Sequence, residues 1–350
     1  MGGRCITSWF ADIGLGDRPM VGGKGGSLGE LTRAGIAVPP GFVVCTDAFE
    51  SFIRALDAEE PLRAPIEALD PNDLTAVTAC TRAVRARVEK NPLPDNVRAE
   101  ILGAYAKLCD GRADVPVAVR SSATTEDAAD ASFAGLQDTY LWVLGAEEML
   151  RMVRSCWASL YSVESVCYRR KHRFPEAGVA MGVVVQRMVD ARAAGVLFTR
   201  SPTTGDRSVV TIEGAWGLGS AVVSGAVTPD RWVVAKITGE ITVRDVSDKH
   251  VQHLPRSGGG VEDVPVAIEL RKMPCLSDEE LLALKAVGVR AERHYRRPQD
   301  IEWAIDRQTG ELLLLQSRPE TVWSSKEATP VAAPAADPVT HVMNIFGGRR

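Results

Sequence analysis

The chain has 350 residues, with 41 Lys and Arg against 45 Asp and Glu, a formal net charge of −4. That balance supplies no basic stripe for nucleic acid or an anionic membrane surface, and no apolar run reaches the roughly 20 residues that cross a bilayer. With 45% hydrophobic and 25% charged residues the composition is that of a globular protein with a sizeable core.

The first residues, MGGRCITSWFADIG, lack a long apolar stretch, so no secretory leader is expected. The seven cysteines are odd in number and show no CxxC spacing, which reads as buried cytosolic thiols, not as a disulfide framework or zinc site.

In chain order, a glycine-rich loop at 21–23 feeds a helix over Lys24–Ala34. Helical spacing recurs at 46–56, 72–90 and 94–109. Residues 115–123 read as a short apolar strand, and 145–173 as a long amphipathic helix broken at most once. Beyond about residue 178 the texture changes to short β-branched runs. Of these, 182–206 reads as two strands around a tight connection. A helix at 277–295 opens on a capping box, Ser277 with Glu280. A final hairpin precedes an Ala/Pro-rich linker and a partly apolar tail. The fold class is therefore α+β in two lobes, divided as 1–188 and 189–323, with a linker and tail at 324–350.

Four stretches carry chemistry. In VGGKGGSLGEL, 21–31, close glycines let backbone N–H groups approach an anion, and Lys24 adds a point charge for a phosphate oxygen. Lys24 is followed by Gly25, so the Walker A pattern is absent, and a plain flexible turn reads equally well. In AVRSSATTEDAADASFAGLQDTY, 118–140, Arg120 ends an apolar strand, facing away from Val117 and Val119. An arginine there pairs with a buried carboxylate or meets a ligand phosphate. The segment that follows, 124–135, is rich in Ala, Asp and Gly and suits a mobile lid ending at Gly135, with Gln137 and Thr139 beyond it. Gln186 interrupts a valine run, placing an amide where a nucleoside edge or an internal hydrogen-bond network would use it. In IEGAWGLGSAVVSGAVTPD, 212–230, the glycines read as structural.

The fourth stretch is DIEWAIDRQTGELLLLQSRPET, 300–321. If its strands pair symmetrically about the DRQTG turn, Asp300 opposes Gln316 and Glu302 opposes Leu314. Alternation then puts Asp300, Glu302, Gln316 and Arg318 on one face, and Ile301, Trp303 and Ile305 with Leu313 and Leu315 on the other. Two carboxylates and an amide oxygen suit Mg2+, which keeps waters and substrate phosphates as its other ligands. An Asp–Arg ion pair on a hairpin has the same composition; the shared face favours the metal.

These stretches, in this order and over about residues 6–322, resemble the ATP-binding module of the phosphoenolpyruvate synthase, pyruvate phosphate dikinase and rifampin phosphotransferase family. The resemblance implies an ATP-grasp-like fold whose two lobes clamp ATP with Mg2+. It implies that Lys24, Arg120 and Arg318 act on the phosphates, that Gly135 and Thr139 belong to the lid, and that Gln186 lies near the nucleoside. Asp300, Glu302 and Gln316 would hold Mg2+, with Glu302 and Gln316 also bordering the nucleotide. Family enzymes carry a swivelling domain with a TSHA-like histidine motif. Thr340-His341-Val342 lacks its glycine-rich context, so His341 is not read as the phosphate carrier.

The expectation is thus a cytoplasmic, AMP-forming ATP-binding subunit. It would serve a histidine-carrying partner subunit that phosphorylates a small hydroxyl acceptor, a phenol or alkylphenol, as in the split phenylphosphate and cresol phosphate synthases. Part of a rifampin phosphotransferase or phosphoenolpyruvate synthase is the nearest alternative. An ADP-forming ATP-grasp ligase and a non-catalytic nucleotide-binding protein are the alternatives of another class, separable by whether AMP, ADP or neither appears.

Overall fold

Glycine-rich sequence and apolar strand meet at one point that fixes the N-terminal architecture. Helix α1, Arg18–Arg33, is kinked at Gly22, whose φ of 72° lies in the left-handed region. A Cβ there would sit 1.9 Å from the carbonyl oxygen of Ser122, so only glycine allows this approach. Ser122 Oγ donates to Val21 O and accepts from Gly25 N–H, locking the kink to the strand that carries Arg120. The loop expected at 21–23 is therefore this kink, and the helix expected from Lys24 follows it.

The computed structural model of the chain describes residues 5–124, 138–321 and 323. Gly135, His341 and the expected linker and tail at 324–350 lie outside the described residues. After β1 (Thr7–Trp9), α1 and β2 (Gly41–Val44) come α2 (Thr46–Glu59), α3 (Arg63–Glu67), α4 (Leu74–Lys90) and α5 (Asp95–Cys109). Strands β3 (Val117–Ala123) and β4 (Thr139–Val143) precede α6 (Ala146–Ser159), α7 (Val163–Lys171) and β5 (Met181–Arg187). The helix expected over 145–173 takes the one break allowed for it, because the Ser162 side chain caps α7 by accepting from Ser165 N–H. Then follow β6 (Ala191–Phe198), β7 (Val209–Trp216), α8 (Ser220–Val223), β8 (Asp230–Ala235), β9 (Ile241–Asp245), β10 (Val251–Pro255) and β11 (Val261–Pro265). Helix α9 (Asp278–Tyr295), with both bonds of the Ser277–Glu280 capping box formed, leads to β12 (Gln299–Asp306) and β13 (Leu312–Pro319).

Two antiparallel sheets result. One has the order β1-β2-β5-β3-β4, the other β13-β12-β6-β7-β8-β9, and β10–β11 is a separate ribbon. The strands read as neighbours around 182–206 do not pair. Strand β5 lies in the first sheet and β6 in the second, so Met188–Asp190 is the connector between lobes. The first sheet packs on α2 and α4–α6 through Phe42, Phe49, Phe52 and Trp157. The second buries Trp232, Trp303, Ile301 and Leu197 against Leu281 and Leu284 of α9. Leu31 and Ile36, from the N-terminal segment, complete this second core. Helix α1 is thereby shared by both lobes, and Leu314 N–H donates to Ala37 O at 2.9 Å. All seven cysteines are free; Cys45, Cys109, Cys156 and Cys275 are buried as expected, whereas Cys5, Cys80 and Cys167 are only half-buried.

Gly22→Ala tests the lock. We expect a loss of more than about 2 kcal/mol from the strained φ and the backbone clash, read as the shift in urea midpoint. An unchanged midpoint would show that α1 and β3 separate without cost.

Candidate functional site

Between the two sheets lies a cavity of about 290 Å³. Its apolar walls include Met188 and Val189 of the connector, Leu218, and Leu315 of β13; its polar lining includes Arg120, Thr139, Gln186, Glu302 and Gln316. Residues predicted from three separate stretches therefore converge. Each arrives by strand alternation: Val117 and Val119 turn into the first core, while Ala118 and Arg120 face the cavity.

Arg120 is 7% exposed. Its Nη1 lies 3.6 Å from Glu302 Oε2 and 3.3 Å from Leu315 O, both in the other lobe, while its Nε has no partner among the described residues. The geometry shows the loose pair with a carboxylate and leaves the Nε as a donor that an anion would suit. Thr139 pairs with Arg120 at the exposed start of β4. Gln186 is 2% exposed, and its Nε2 has no hydrogen-bond partner. A buried unpaired amide of this kind fits a ligand's acceptor. Lys24 lies beside the site without lining the cavity; its Nζ donates to Ser121 O at 2.9 Å, next to Arg120.

The hairpin corrects the symmetric pairing. Asp300 opposes Arg318 and Glu302 opposes Gln316, two residues out from the expected register. A bulge between Glu302 and Trp303 then shifts the count, so Trp303 opposes Leu314 and Ile305 opposes Leu312. Asp300, Glu302, Gln316 and Arg318 still share a face. The apolar partners change: Leu314 and Leu312 join Trp303 and Ile305, whereas Leu313 and Leu315 pack with Ala304, Val189 and Leu218.

Asp300 and Arg318 lie further along the hairpin, outside the cavity lining. Asp300 Oδ2 is 3.7 Å from Arg318 Nε, and Oδ1 is buried without a partner. Burial pushes this carboxyl up from 3.8 to about 6; Arg318 opposes the shift and Glu320 adds to it. An orphaned carboxylate oxygen beside Glu302 and the Gln316 amide is a donor set that fits a hard cation. Among the described residues no group of three or more His, Cys, Asp or Glu assembles, so such a cation would draw its other ligands from water and substrate.

Sequence reasoning missed the connector, Met188 and Val189, and the wall at Leu218–Ser220. A change from one sheet to another at Met188–Asp190 was the available signal, hidden because β5 and β6 read as neighbours.

Residues 18–337 match the family of the pyruvate phosphate dikinase AMP/ATP-binding domain. The chain is 43% identical over 329 residues to a probable phosphoenolpyruvate synthase of Methanothermobacter thermautotrophicus, covering 93% of this chain and 47% of that one. It is 40% identical over 318 residues to the one from Methanocaldococcus jannaschii (90% and 27%), and 42% identical over 322 residues to a rifampicin phosphotransferase of Streptomyces sp (92% and 36%). The chain thus spans about a quarter to a half of the length of these curated relatives.

Asp300→Asn probes the hairpin. The carboxyl binds its proton more tightly folded than unfolded, so its contribution to stability is full below pH 3.8 and lost as pH rises through about 6. The metal-free variant is expected to exceed wild type by about 1–2 kcal/mol at pH 7.5, with the difference fading toward pH 4. It should also lose the rise in Tm that Mg2+ gives wild type. Equal metal-free stability at both pH values would refute the burial argument.

Proposed function

This chain belongs to the family of pyruvate phosphate dikinase AMP/ATP-binding domains, and from that premise we propose that it is the ATP-binding part of an AMP-forming phosphotransferase. Its two-lobed α+β architecture is the ATP-grasp-like fold of that domain, and ATP and Mg2+ are the family's cofactors. The observation that carries the reading is the convergence of Arg120, Gln186, Glu302 and Gln316 on one interlobe cavity, with a partnerless donor on Arg120 and on Gln186.

In this reading the partnerless Gln186 amide and the apolar walls hold the base. Arg120, with Lys24 and Arg318 nearby, offsets charge on the phosphates, and Thr139 borders the entrance. Asp300, Glu302 and Gln316 would hold Mg2+, which when bound neutralises phosphate charge. The contribution of these residues is positioning and charge compensation.

Among the described residues no histidine lines the cavity. We propose a histidine of a partner polypeptide as the nucleophile. A neutral imidazole nitrogen there attacks the β-phosphorus, forming an N–P bond as the bond to AMP breaks. Water removes the terminal phosphate, and the phosphohistidine then phosphorylates a small hydroxyl acceptor. The acceptor we favour is a phenol or alkylphenol, the class used by the split synthases that this chain resembles.

ATP labelled separately at the β- and γ-phosphorus tests this, incubated with the chain, Mg2+ and the candidate histidine protein. The expected outcome is β-label on the partner with AMP accumulating, abolished at least about 100-fold by Glu302→Ala while circular dichroism is unchanged. Release of ADP alone, or full activity in that variant, would overturn the mechanism.

A further inference from the structure

Ser220 begins α8 on the cavity wall, and nothing in the mechanism above uses it. Its Oγ lies 2.8 Å from His253 Nδ1, and His253 Nε2 lies 3.1 Å from Asp263 Oδ1. The register of the β10–β11 ribbon creates the second contact by placing His253 directly opposite Asp263. The ribbon is anchored at both ends. Leu218 N–H donates to His253 O at 2.9 Å, and at the tip Gly260 N–H donates to Trp142 O of the first lobe at 2.9 Å. Gly217, with φ of 78°, lets the ribbon approach, since a Cβ there would lie 2.5 Å from His253 O. The imidazole is thus held in place by backbone contacts.

The direction of these hydrogen bonds follows from what each group can do. A carboxylate only accepts, so the Nε2 proton points to Asp263. In a neutral ring Nδ1 is then bare and accepts the Ser220 hydroxyl proton. That leaves Ser220 Oγ offering lone pairs alone to the cavity. Phosphate oxygens are also acceptors, so they do not fit here; they fit the Arg120 end. Gln186 Nε2 is a donor without a partner and suits a ring nitrogen of the base. The group that matches Ser220 is a donor on the same ligand, and the sugar hydroxyls of a nucleotide are donors.

We infer that Ser220, oriented by His253 and Asp263, accepts a hydrogen bond from a ribose hydroxyl and makes this cavity selective for ribonucleotides. Ser220 is the specificity residue; His253 and Asp263 are positioning residues. The inference rests on the nucleotide-site reading above.

Calorimetric titration of the full chain with ATP, 2′-deoxy-ATP, 3′-deoxy-ATP and inosine triphosphate tests it, for wild type, Ser220→Ala and His253→Ala. Wild type should bind ATP about 5- to 10-fold tighter than at least one deoxy analogue, the size of one hydrogen bond. Ser220→Ala should lose that factor on ATP, on inosine triphosphate and on the deoxy analogue that keeps the contacted hydroxyl, and leave the analogue lacking it unchanged, so that ATP and that last analogue bind equally; His253→Ala should show the same trend more weakly. Wild type binding ATP and both deoxy analogues equally would overturn the assignment. So would a Ser220→Ala variant that weakens all four ligands alike, which marks a structural role, or one that equalises only ATP and inosine triphosphate, which marks contact with the base amine. Failure of wild type to bind any of the four would overturn the nucleotide-site reading itself, and the inference with it.

Discussion

A guanidinium buried in one sheet faces a carboxylate carried by the other, and the site depends on that contact. Arg120 and Glu302 come no closer than 3.6 Å, and each belongs to a lobe with its own core. The arginine is buried and the carboxylate half-exposed, and a pair that far apart and partly open to solvent adds little to stability. The arginine Nε, the Gln186 amide and one Asp300 oxygen are left unpaired around it. In the function proposed above, a ligand with anionic oxygens, acceptor nitrogens and an accompanying cation would satisfy all three kinds of atom at once.

The lobes are held for this purpose by the N-terminal segment. Gly22 fastens α1 to β3 through Ser122, and Leu31 and Ile36 enter the core of the second sheet. Tyr295 at the end of α9 donates to Ser27 O, tying the same helix to the second lobe. The glycines of VGGKGGSLGEL therefore serve backbone contact first. Lys24 is delivered beside Arg120 because the helix can lie that close to the strand.

Much of the site was legible in the sequence because side-chain alternation is a robust rule. Arg120 pointing away from Val117 and Val119, and four polar residues sharing a hairpin face, follow from a period of two. Register was less legible. The pairing of Asp300 with Arg318 depends on the turn, and the bulge after Glu302 leaves no mark in an unbroken apolar run such as Leu312–Leu315. Topology was less legible still. Strands β5 and β6 follow one another closely, and only the opposed burial of their faces in separate cores shows that they part. The β10–β11 ribbon escaped notice because VQHLP and VEDVP are half-exposed and carry little hydrophobic signal.

The bulge at Glu302 has a consequence for how such hairpins can diversify. One strand carries an extra residue, so the polar face near the strand ends and the apolar face near the turn obey opposite parities. Variation in the length of the 306–310 turn is then not neutral. Adding a single residue would exchange inside for outside along one strand, unless the bulge were lost in the same event. Descendants of this sequence are therefore expected to vary the length of the turn by steps of two, while keeping Asp306, whose Oδ1 accepts from Gln308 and Thr309, and Gly310, whose φ is 71°. A change of one residue would have to be accompanied by removal of the irregularity beside Glu302.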